Sequence, residues 1–207
     1  NPGGRSKATE EFDGSAWTTG GVYPLSINMG GTGTLTAGLG FGGYQPATPV
    51  LHRKTTNEYN GTSWSPTGDL NTGRSETCGC GTQTATISAG GTTSTAGSNN
   101  FSEEYNGATW TNTNNLNTVN ASGAMFGTTA SAQLCGGYVA PAAIDVVQSW
   151  DGTSWAANPA SLASAVQTNG AAGTSGVSGL STGGSPFVTA TEEYTDPTFG
   201  TQTVTAS

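Results

Sequence analysis

The chain has 207 residues, of which only 9% are charged and 33 are glycine, and its formal net charge is −8. With five lysine and arginine residues in all, it offers no basic stripe to neutralise phosphates, which argues against nucleic-acid binding and against attraction to an anionic membrane. No apolar run approaches the length of a transmembrane segment, and no signal-peptide pattern opens the sequence. The length suits one domain with a real core, so we expect a single domain over residues 1–207.

The first predicted element is a β-hairpin at residues 9–18, with the sequence EFDGSAW at its centre. An Asp-Gly or Asn-Gly pair between two β-prone runs predicts a type I′ turn, which needs positive φ at both central residues. The same motif returns at residues 58–64, 104–110 and 148–155, and a fifth copy begins at residue 192 and breaks down after residue 194.

Two landmarks recur in the same phase along the chain, a tryptophan in each of the first four hairpins and a glycine pair after it. The tryptophans are 47, 46 and 45 residues apart. Periods of this size are typical of β-propeller blades, each a four-stranded sheet, and the glycine-rich composition without a 3.6-residue apolar stripe excludes helical solenoids. The expected scaffold residues are Trp17, Trp64, Trp110, Trp155, Gly43, Gly91, Gly137 and Gly184, each glycine being the second of its pair.

The residues between one tryptophan and the next glycine pair predict the other two strands of each blade. A polar loop with a leucine leads to a strand rich in small residues, such as 75–81 or 121–127, and then to a strand ending at the glycine pair, such as 84–90 or 130–136. A variable loop of about ten residues returns the chain to the next hairpin. The predicted repeats lie near residues 8–52, 53–100, 101–145 and 146–190, with a partial one at 191–207. The loop leucines are Leu25, Leu70, Leu116 and Leu162.

Together, the glycine pair, the Tyr-Asn/Asp-Gly hairpin and the following tryptophan resemble the repeats of Kelch-type β-propellers. The resemblance covers residues 9–194 and implies an all-β propeller of four-stranded blades. Two features depart from it, since the arginine that Kelch repeats often carry appears only as Arg74 and the repeats are poor in charge. The sequence is also similar to Kelch-like repeat proteins of tailed phages, which implies a structural role in a tail or capsid appendage.

Closure of the ring has two solutions in the sequence, with four or five blades. In a four-bladed ring, residues 9–18 would join the strands of residues 163–184 in a blade made from both termini, and the hairpin at residue 192 would be left over. In a five-bladed ring, two strands are missing before residue 9, and either a preceding segment or a neighbouring chain would supply them. An incomplete blade has an unpaired edge, so we also expect association with other subunits. Residues 201–205 alternate weakly and are a candidate final strand.

The sequence offers no recognisable catalytic set, cofactor site or metal site. Cys78, Cys80 and Cys135 are expected to be buried small residues, and Cys-x-Cys with a remote cysteine and the single His52 is not a standard zinc spacing. Either Cys78 or Cys80 is also placed to meet Cys135 on the adjacent blade. The paired acids recur because the repeat recurs, and neighbours on a strand point to opposite faces, so they do not converge. These acids are Glu10-Glu11, Glu103-Glu104 and Glu192-Glu193.

The variable loops are the expected carriers of specificity, because they differ between repeats while the scaffold does not. Tyr44 and Tyr138 follow the glycine pair in two repeats and are candidates for stacking on a sugar or peptide; the alternative is that they cap the blade edge. Asn60, Asn100 and Asn120 match the N-glycosylation pattern, and Asn100 is expected to be the most accessible of the three.

These observations favour a non-enzymatic structural or adhesion module on a virion or cell surface, binding a host glycan or another subunit. The charge-poor surface rich in threonine, serine and glycine is typical of extracellular and virion-surface β proteins. An alternative is a subunit of an extracellular filament in which each unfinished blade is completed by the next chain. A propeller enzyme, such as a sugar lyase or oxidase, would need a metal or a convergent polar pocket.

Overall fold

The computed structural model describes residues 6–24, 27–45, 51–93 and 97–196, and this part of the chain is all-β. It includes no helix capable of crossing a bilayer. Four antiparallel sheets are arranged as the blades of a four-bladed β-propeller, which confirms the predicted fold class.

Each blade is a meander in which successive strands pair in chain order, and the first strand lies nearest the axis. Blade 1 contains β3 (Gly30–Thr34), β4 (Ala37–Phe41), β7 (Thr56–Tyr59) and β8 (Trp64–Pro66). Blade 2 contains β9 (Cys78–Thr82), β10 (Ala85–Ala89), β11 (Ser102–Tyr105) and β12 (Trp110–Asn112). Blade 3 contains β13 (Ala124–Thr128), β14 (Ser131–Cys135), β17 (Val147–Trp150) and β18 (Trp155–Ala157). Blade 4 has three described strands, β19 (Gly170–Ser175), β20 (Ser178–Thr182) and β21 (Thr191–Thr195).

Three short hairpins complete the described structure. The loop hairpins of blades 1 and 3 pair β5 (Tyr44–Gln45) with β6 (Leu51–His52), and β15 (Tyr138–Val139) with β16 (Ala142–Ala143). The first hairpin of the chain pairs β1 (Glu10–Phe12) with β2 (Trp17–Thr19) as a separate two-stranded sheet.

The innermost strands follow one another around the axis in the order β3, β9, β13 and β19, each lying against the next. Within the described strands, β19 and β3 make no comparable contact, so three inner-strand contacts join the four blades. The small residues of these strands allow the close approach. A Cβ on Gly79, for example, would meet the Phe41 ring at 2.5 Å.

The hairpin turns differ from the predicted type I′ geometry. In all four, the aspartate or asparagine accepts hydrogen bonds from the two amides at the end of the turn, as Asn60 Oδ1 does from Thr62 N at 3.0 Å and Ser63 N at 2.9 Å. Only the glycine has positive φ, +86° at Gly61. The side-chain acceptor closes the turn itself, which removes the need for a left-handed asparagine. The four capping residues are Asp13, Asn60, Asn106 and Asp151.

The glycine pairs link each blade to the next. Both glycines of each pair have positive φ, and in blades 1 to 3 the second donates its N–H to a carbonyl at the start of the following blade, as Gly91 N does to Asn120 O at 2.8 Å. A Cβ on Gly90 would lie 2.5 Å from the same oxygen, so only glycine fits. The equivalent links run from Gly43 to Arg74 and from Gly137 to Val166, at 2.9 Å and 2.7 Å.

Three apolar cores fill the three blade junctions. The core between blades 1 and 2 holds Leu39, Phe41, Leu70, Tyr105 and Trp110. The core between blades 2 and 3 is the largest, and it holds Cys78, Cys80, Ile87, Ala89, Leu116, Met125, Ala132, Leu134, Trp150 and Trp155. The core between blades 3 and 4 holds Phe126, Cys135, Val147, Leu162 and Val166. The predicted loop leucines Leu70, Leu116 and Leu162 are thus core residues, while Leu25 lies outside the described residues.

Three of the four repeat tryptophans make the same contact with the preceding sheet. The indole N–H of Trp64, Trp110 and Trp155 donates to the hydroxyl of Thr9, Thr56 and Ser102 at 3.0, 2.9 and 3.1 Å. The fourth, Trp17, is 68% exposed and packs against Phe12 of its own hairpin, with ring centroids 5.2 Å apart.

Blade 4 is not built from both termini, contrary to one predicted solution. β21 occupies the third position of blade 4, paired with β20, so hairpin β1–β2 cannot take that place. The hairpin lies instead on blade 1, where Glu11 accepts a hydrogen bond from the Tyr59 hydroxyl. The candidate strand at residues 201–205 lies outside the described residues.

The three cysteines are free and buried, so neither Cys78 nor Cys80 is bonded to Cys135. Burial raises the pKa of each thiol to about 12, which keeps all three protonated at neutral pH. Beside them, Arg74 and Glu103 form an ion pair at 3.2 Å with both side chains almost fully buried. Burial lowers the pKa of Arg74 to about 10, so it stays charged at neutral pH and neutralises Glu103.

Candidate binding site

One end of the propeller axis is ringed by four residues with an unusual backbone. Asn28, Glu76, Ser122 and Thr168 have φ of +51°, +56°, +55° and +53°, and within the described chain they are the only residues other than glycine with positive φ. They are 48, 46 and 46 residues apart, so each blade supplies one. Such conformations are costly for residues with a side chain and persist where the surrounding structure holds them.

A chain of backbone hydrogen bonds holds this ring. Glu76 N donates to Asn28 O at 2.7 Å, Ser122 N to Glu76 O at 2.9 Å, and Thr168 N to Ser122 O at 2.6 Å. The left-handed turn at each residue directs its amide to the carbonyl of the preceding blade, and this joins blades 1 to 4 at the axis. The same turn explains why β9 and β13 begin at Cys78 and Ala124, about three residues later than predicted.

A polar cleft of about 670 Å³ opens at this ring. Its walls carry amide, hydroxyl and carboxyl groups together with one tyrosine and one methionine, so they can both donate and accept hydrogen bonds. The lining residues are Asn28, Met29, Glu76, Thr77, Ser122, Gly123, Tyr138, Gln167, Thr168 and Ser185.

The variable loops begin at this same end of the axis. The residue after each glycine pair forms a β-bridge with the residue just before the ring position, as Tyr138 does with Ala121 and Ser185 with Gln167. The equivalent bridges join Tyr44 to Ile27 and Thr92 to Ser75. The backbone pairing at the start of the variable loops is therefore the same in all four blades.

The cleft is weakly acidic. Among its described lining residues, Glu76 is the only charged one, and its Oε1 accepts a hydrogen bond from Asn28 Nδ2 at 3.3 Å. The nearest arginine in sequence, Arg74, is fully buried in its ion pair with Glu103. The cleft therefore presents one carboxylate and no basic side chain from the described residues.

Of the predicted ligand residues, only Tyr138 lines the cleft. Tyr44 pairs with His52 across a loop hairpin, with ring centroids 6.4 Å apart. Asn100 lies half-buried near Leu116, and the more exposed glycosylation candidate is Asn60, which corrects the expectation for Asn100. Asn120 is fully buried. The variable-loop segments at residues 46–50 and 94–96 lie outside the described residues.

Sequence reasoning missed the four ring residues. Their chemical types differ from blade to blade, and none of them is a glycine, so no motif marked a left-handed turn there. The one available signal was position, because each lies 12 or 13 residues after a tryptophan, or 11 after Trp17.

Glutamates in the third strands of blades 1 and 2 bond across the blade junction. Glu103 is held in the ion pair and accepts a hydrogen bond from Asn71 N at 2.7 Å, and Glu58 accepts one from the Tyr105 hydroxyl at 2.7 Å. Burial raises the pKa of Glu104. In the described part of the chain, no group of three or more His, Cys, Asp or Glu side chains is placed to hold a metal ion.

Two faces resemble halves of a blade junction without a partner among the described residues. The Trp17 face, formed by Phe12 and Trp17, has exposed fractions of 47% and 68%. The blade 4 face carries a shallow groove of about 450 Å³ that includes Leu180, Glu193 and Tyr194. Thr191 on this face occupies the position at which Thr9, Thr56 and Ser102 accept a tryptophan N–H, and it is exposed.

Comparisons with known proteins add no family to this description. No protein-family model matches the chain, and a search of curated proteins gives no significant match.

Proposed function

We propose that this chain is a Kelch-like, non-enzymatic adhesion module on the outside of a virion or cell, in a setting such as a phage tail or capsid appendage. Its axial cleft binds a host glycan. The Kelch-like identity rests on the glycine pairs, the Asx-capped hairpins and the repeat tryptophans. Three of the glycine pairs and three of the tryptophans bond to a neighbouring sheet.

The observation that carries the proposal is the contrast between a repeated backbone and unlike side chains at one end of the axis. Asn28, Glu76, Ser122 and Thr168 share one conformation yet offer an amide, a carboxylate and two hydroxyls. Saccharides are recognised through several directional hydrogen bonds and through packing on an aromatic ring. The cleft offers both, with Tyr138 as the aromatic side chain.

A glycan array probed with the purified chain tests the proposal. We expect binding to a restricted set of glycans that falls at least about tenfold in Tyr138→Ala, because a central aromatic contact is often worth more than 1 kcal/mol. Tyr44→Ala is the matched control, since Tyr44 occupies the equivalent position in blade 1 outside the described cleft. Equal binding by both variants, or no binding by the wild type, would count against the axial cleft as the glycan site.

A second candidate function is a subunit of a larger assembly, and the exposed Trp17 face favours it. In blades 1 to 3, the equivalent tryptophan is covered by a neighbouring sheet. Sedimentation velocity over a range of concentrations should show association that Trp17→Ala abolishes. Leu35→Ala, which removes a half-exposed side chain at a blade 1 turn, should leave the association unchanged. A wild-type chain that stays monomeric at all concentrations would remove this candidate.

A further inference from the structure

We propose that Glu76 makes the axial cleft select uncharged and amine-bearing saccharides over acidic ones. This inference rests on the proposed glycan binding and adds the ligand's charge class and the residue that sets it.

Glu76 is fixed at the cleft by its backbone and by its side chain. Its amide donates to Asn28 O at 2.7 Å, its carbonyl accepts from Ser122 N at 2.9 Å, and its Oε1 accepts from Asn28 Nδ2 at 3.3 Å. These bonds hold a half-buried residue at a φ of +56°, which an unconstrained glutamate would leave. The backbone therefore places this carboxylate at the cleft wall.

No described lining residue supplies a compensating positive charge. The guanidinium of Arg74 is buried against Glu103 and Ser88, and that of Arg53 donates to Gln45. A sugar carboxylate or sulfate entering the cleft would lose water beside Glu76 with no cation to replace it, which is unfavourable. The net charge of −8 adds a long-range repulsion of the same sign.

A neutral saccharide meets no such cost. The amides of Asn28 and Gln167 and the hydroxyls of Ser122 and Thr168 can donate to or accept from sugar hydroxyls. Glu76 can accept from a sugar hydroxyl or ammonium group, and bonds from a charged donor are the stronger ones. Amino sugars with a free amine should therefore bind at least as well as neutral sugars.

The test compares matched saccharides that differ in charge. The array hits are titrated in neutral, amine-bearing and uronic-acid or sulfated forms against the wild type and Glu76→Gln. We expect the wild type to prefer the neutral form over the acidic form by about tenfold, from one like-charge contact at partial exposure. Glu76→Gln, which keeps the size and the hydrogen-bonding capacity, should reduce this preference to within about threefold. Added salt should also reduce the preference of the wild type for the neutral form, because it screens the charge repulsion.

Glu10→Gln is the control, because it removes the same charge from an exposed position on β1, away from the cleft. It should leave the neutral-to-acidic ratio close to that of the wild type. One outcome is that saccharides bind more weakly to Tyr138→Ala while Glu76→Gln leaves the neutral-to-acidic affinity ratio unchanged. In that case the selectivity inference is wrong and the glycan function stands. If no saccharide of any charge class binds, the proposed function fails and this inference fails with it. Preferential binding of acidic forms by the wild type would also overturn it.

Discussion

Within the described part of the chain, the three blade junctions and the two faces without a covering sheet carry the same repeat positions in different surroundings. At the junctions, Trp110 and Trp155 are 5% and 4% exposed and each donates its indole N–H to a hydroxyl of the preceding blade. On the Trp17 face, the equivalent side chain is 68% exposed. The repeat motif thus sets the shape of a hairpin, whereas burial depends on whether another sheet lies against it.

The glycine pairs show the same difference. A Cβ on Gly42, Gly90 or Gly136 would lie 2.5–2.7 Å from a carbonyl oxygen of the next blade, while one on Gly183 meets no atom within 4 Å. All four glycines have φ between +63° and +67°. At a junction, glycine is required both by the positive φ and by the nearby carbonyl oxygen. At Gly183 only the φ requires it, so alanine substitutions should distinguish the two regions.

The largest expected difference in stability is between substitutions of the covered and the exposed tryptophans. Trp110→Ala should lower the free energy of unfolding by about 3–5 kcal/mol, because it empties a buried site and removes the indole donor. Trp17→Ala should cost less than about 1 kcal/mol, the range of an exposed cross-strand aromatic pair. Denaturant unfolding followed by circular dichroism measures both. Equal losses would mean that the Trp17 face is covered in solution.

The glycine pairs should give the next largest difference. Gly183→Ala should cost about 1–2 kcal/mol, the price of a left-handed alanine. Gly90→Ala should cost about 1–3 kcal/mol more, because its methyl group would collide with Asn120 O. Thermal unfolding of the two variants side by side checks this. A smaller loss for Gly90→Ala than for Gly183→Ala is incompatible with the junction geometry.

Removing a hydroxyl acceptor should give a smaller difference in stability between a junction and the blade 4 face. Thr56→Val keeps the shape of a buried side chain but leaves the Trp110 N–H without its acceptor, which should cost about 1–3 kcal/mol. Thr191→Val changes an exposed residue whose hydroxyl bonds to Thr182 on the surface, and it should stay within about 0.5 kcal/mol of the wild type. Chemical denaturation resolves this difference. Assembly through the blade 4 face would show as a concentration-dependent loss in Thr191→Val.

The smallest expected effect is the loss of stability at low pH from the aspartates that cap two of the hairpin turns. Backbone hydrogen bonds, first from Ala16 N and Ser154 N, lower the pKa of Asp13 and Asp151 below 3.8 in the folded chain. Their contribution to stability is therefore present above pH 3.8 and is lost as the pH falls through the folded pKa. The double variant Asp13→Asn, Asp151→Asn keeps the acceptor oxygens and should lose less stability between pH 5 and 2. Parallel acid titrations of both proteins by circular dichroism measure this. Identical profiles would show that these caps do not titrate with folding.

Much of the scaffold was predictable from the sequence, because its signals are local. The period of Trp64, Trp110 and Trp155 gave the blades, and the glycine pairs gave the ends of the second strands. The turn type was wrong because Asn60 and its equivalents close the turn with their side chains. The strand starts were wrong because Glu76 and Ser122 adopt positive φ, which residue type does not reveal.

The candidate site was largely hidden from sequence reasoning for a physical reason. Its residues come from four blades about 46 positions apart, and what brings them together is the hydrogen-bonded ring at the axis. Tyr138 was identified because it follows a glycine pair, but the same rule also selected Tyr44, which does not line the cleft. The side chains at the ring vary, and no repeat motif includes them.

Hydrogen exchange at the indole N–H groups tests the central contrast most directly. The chain has five tryptophans, so a nitrogen-15 spectrum of the folded protein should show five indole signals. We expect slow exchange for Trp110 and Trp155, intermediate or slow exchange for the half-buried Trp64, and exchange near the unprotected rate for Trp17. Uniform protection of all four repeat tryptophans, or uniform exposure, would contradict the division into covered junctions and an uncovered Trp17 face.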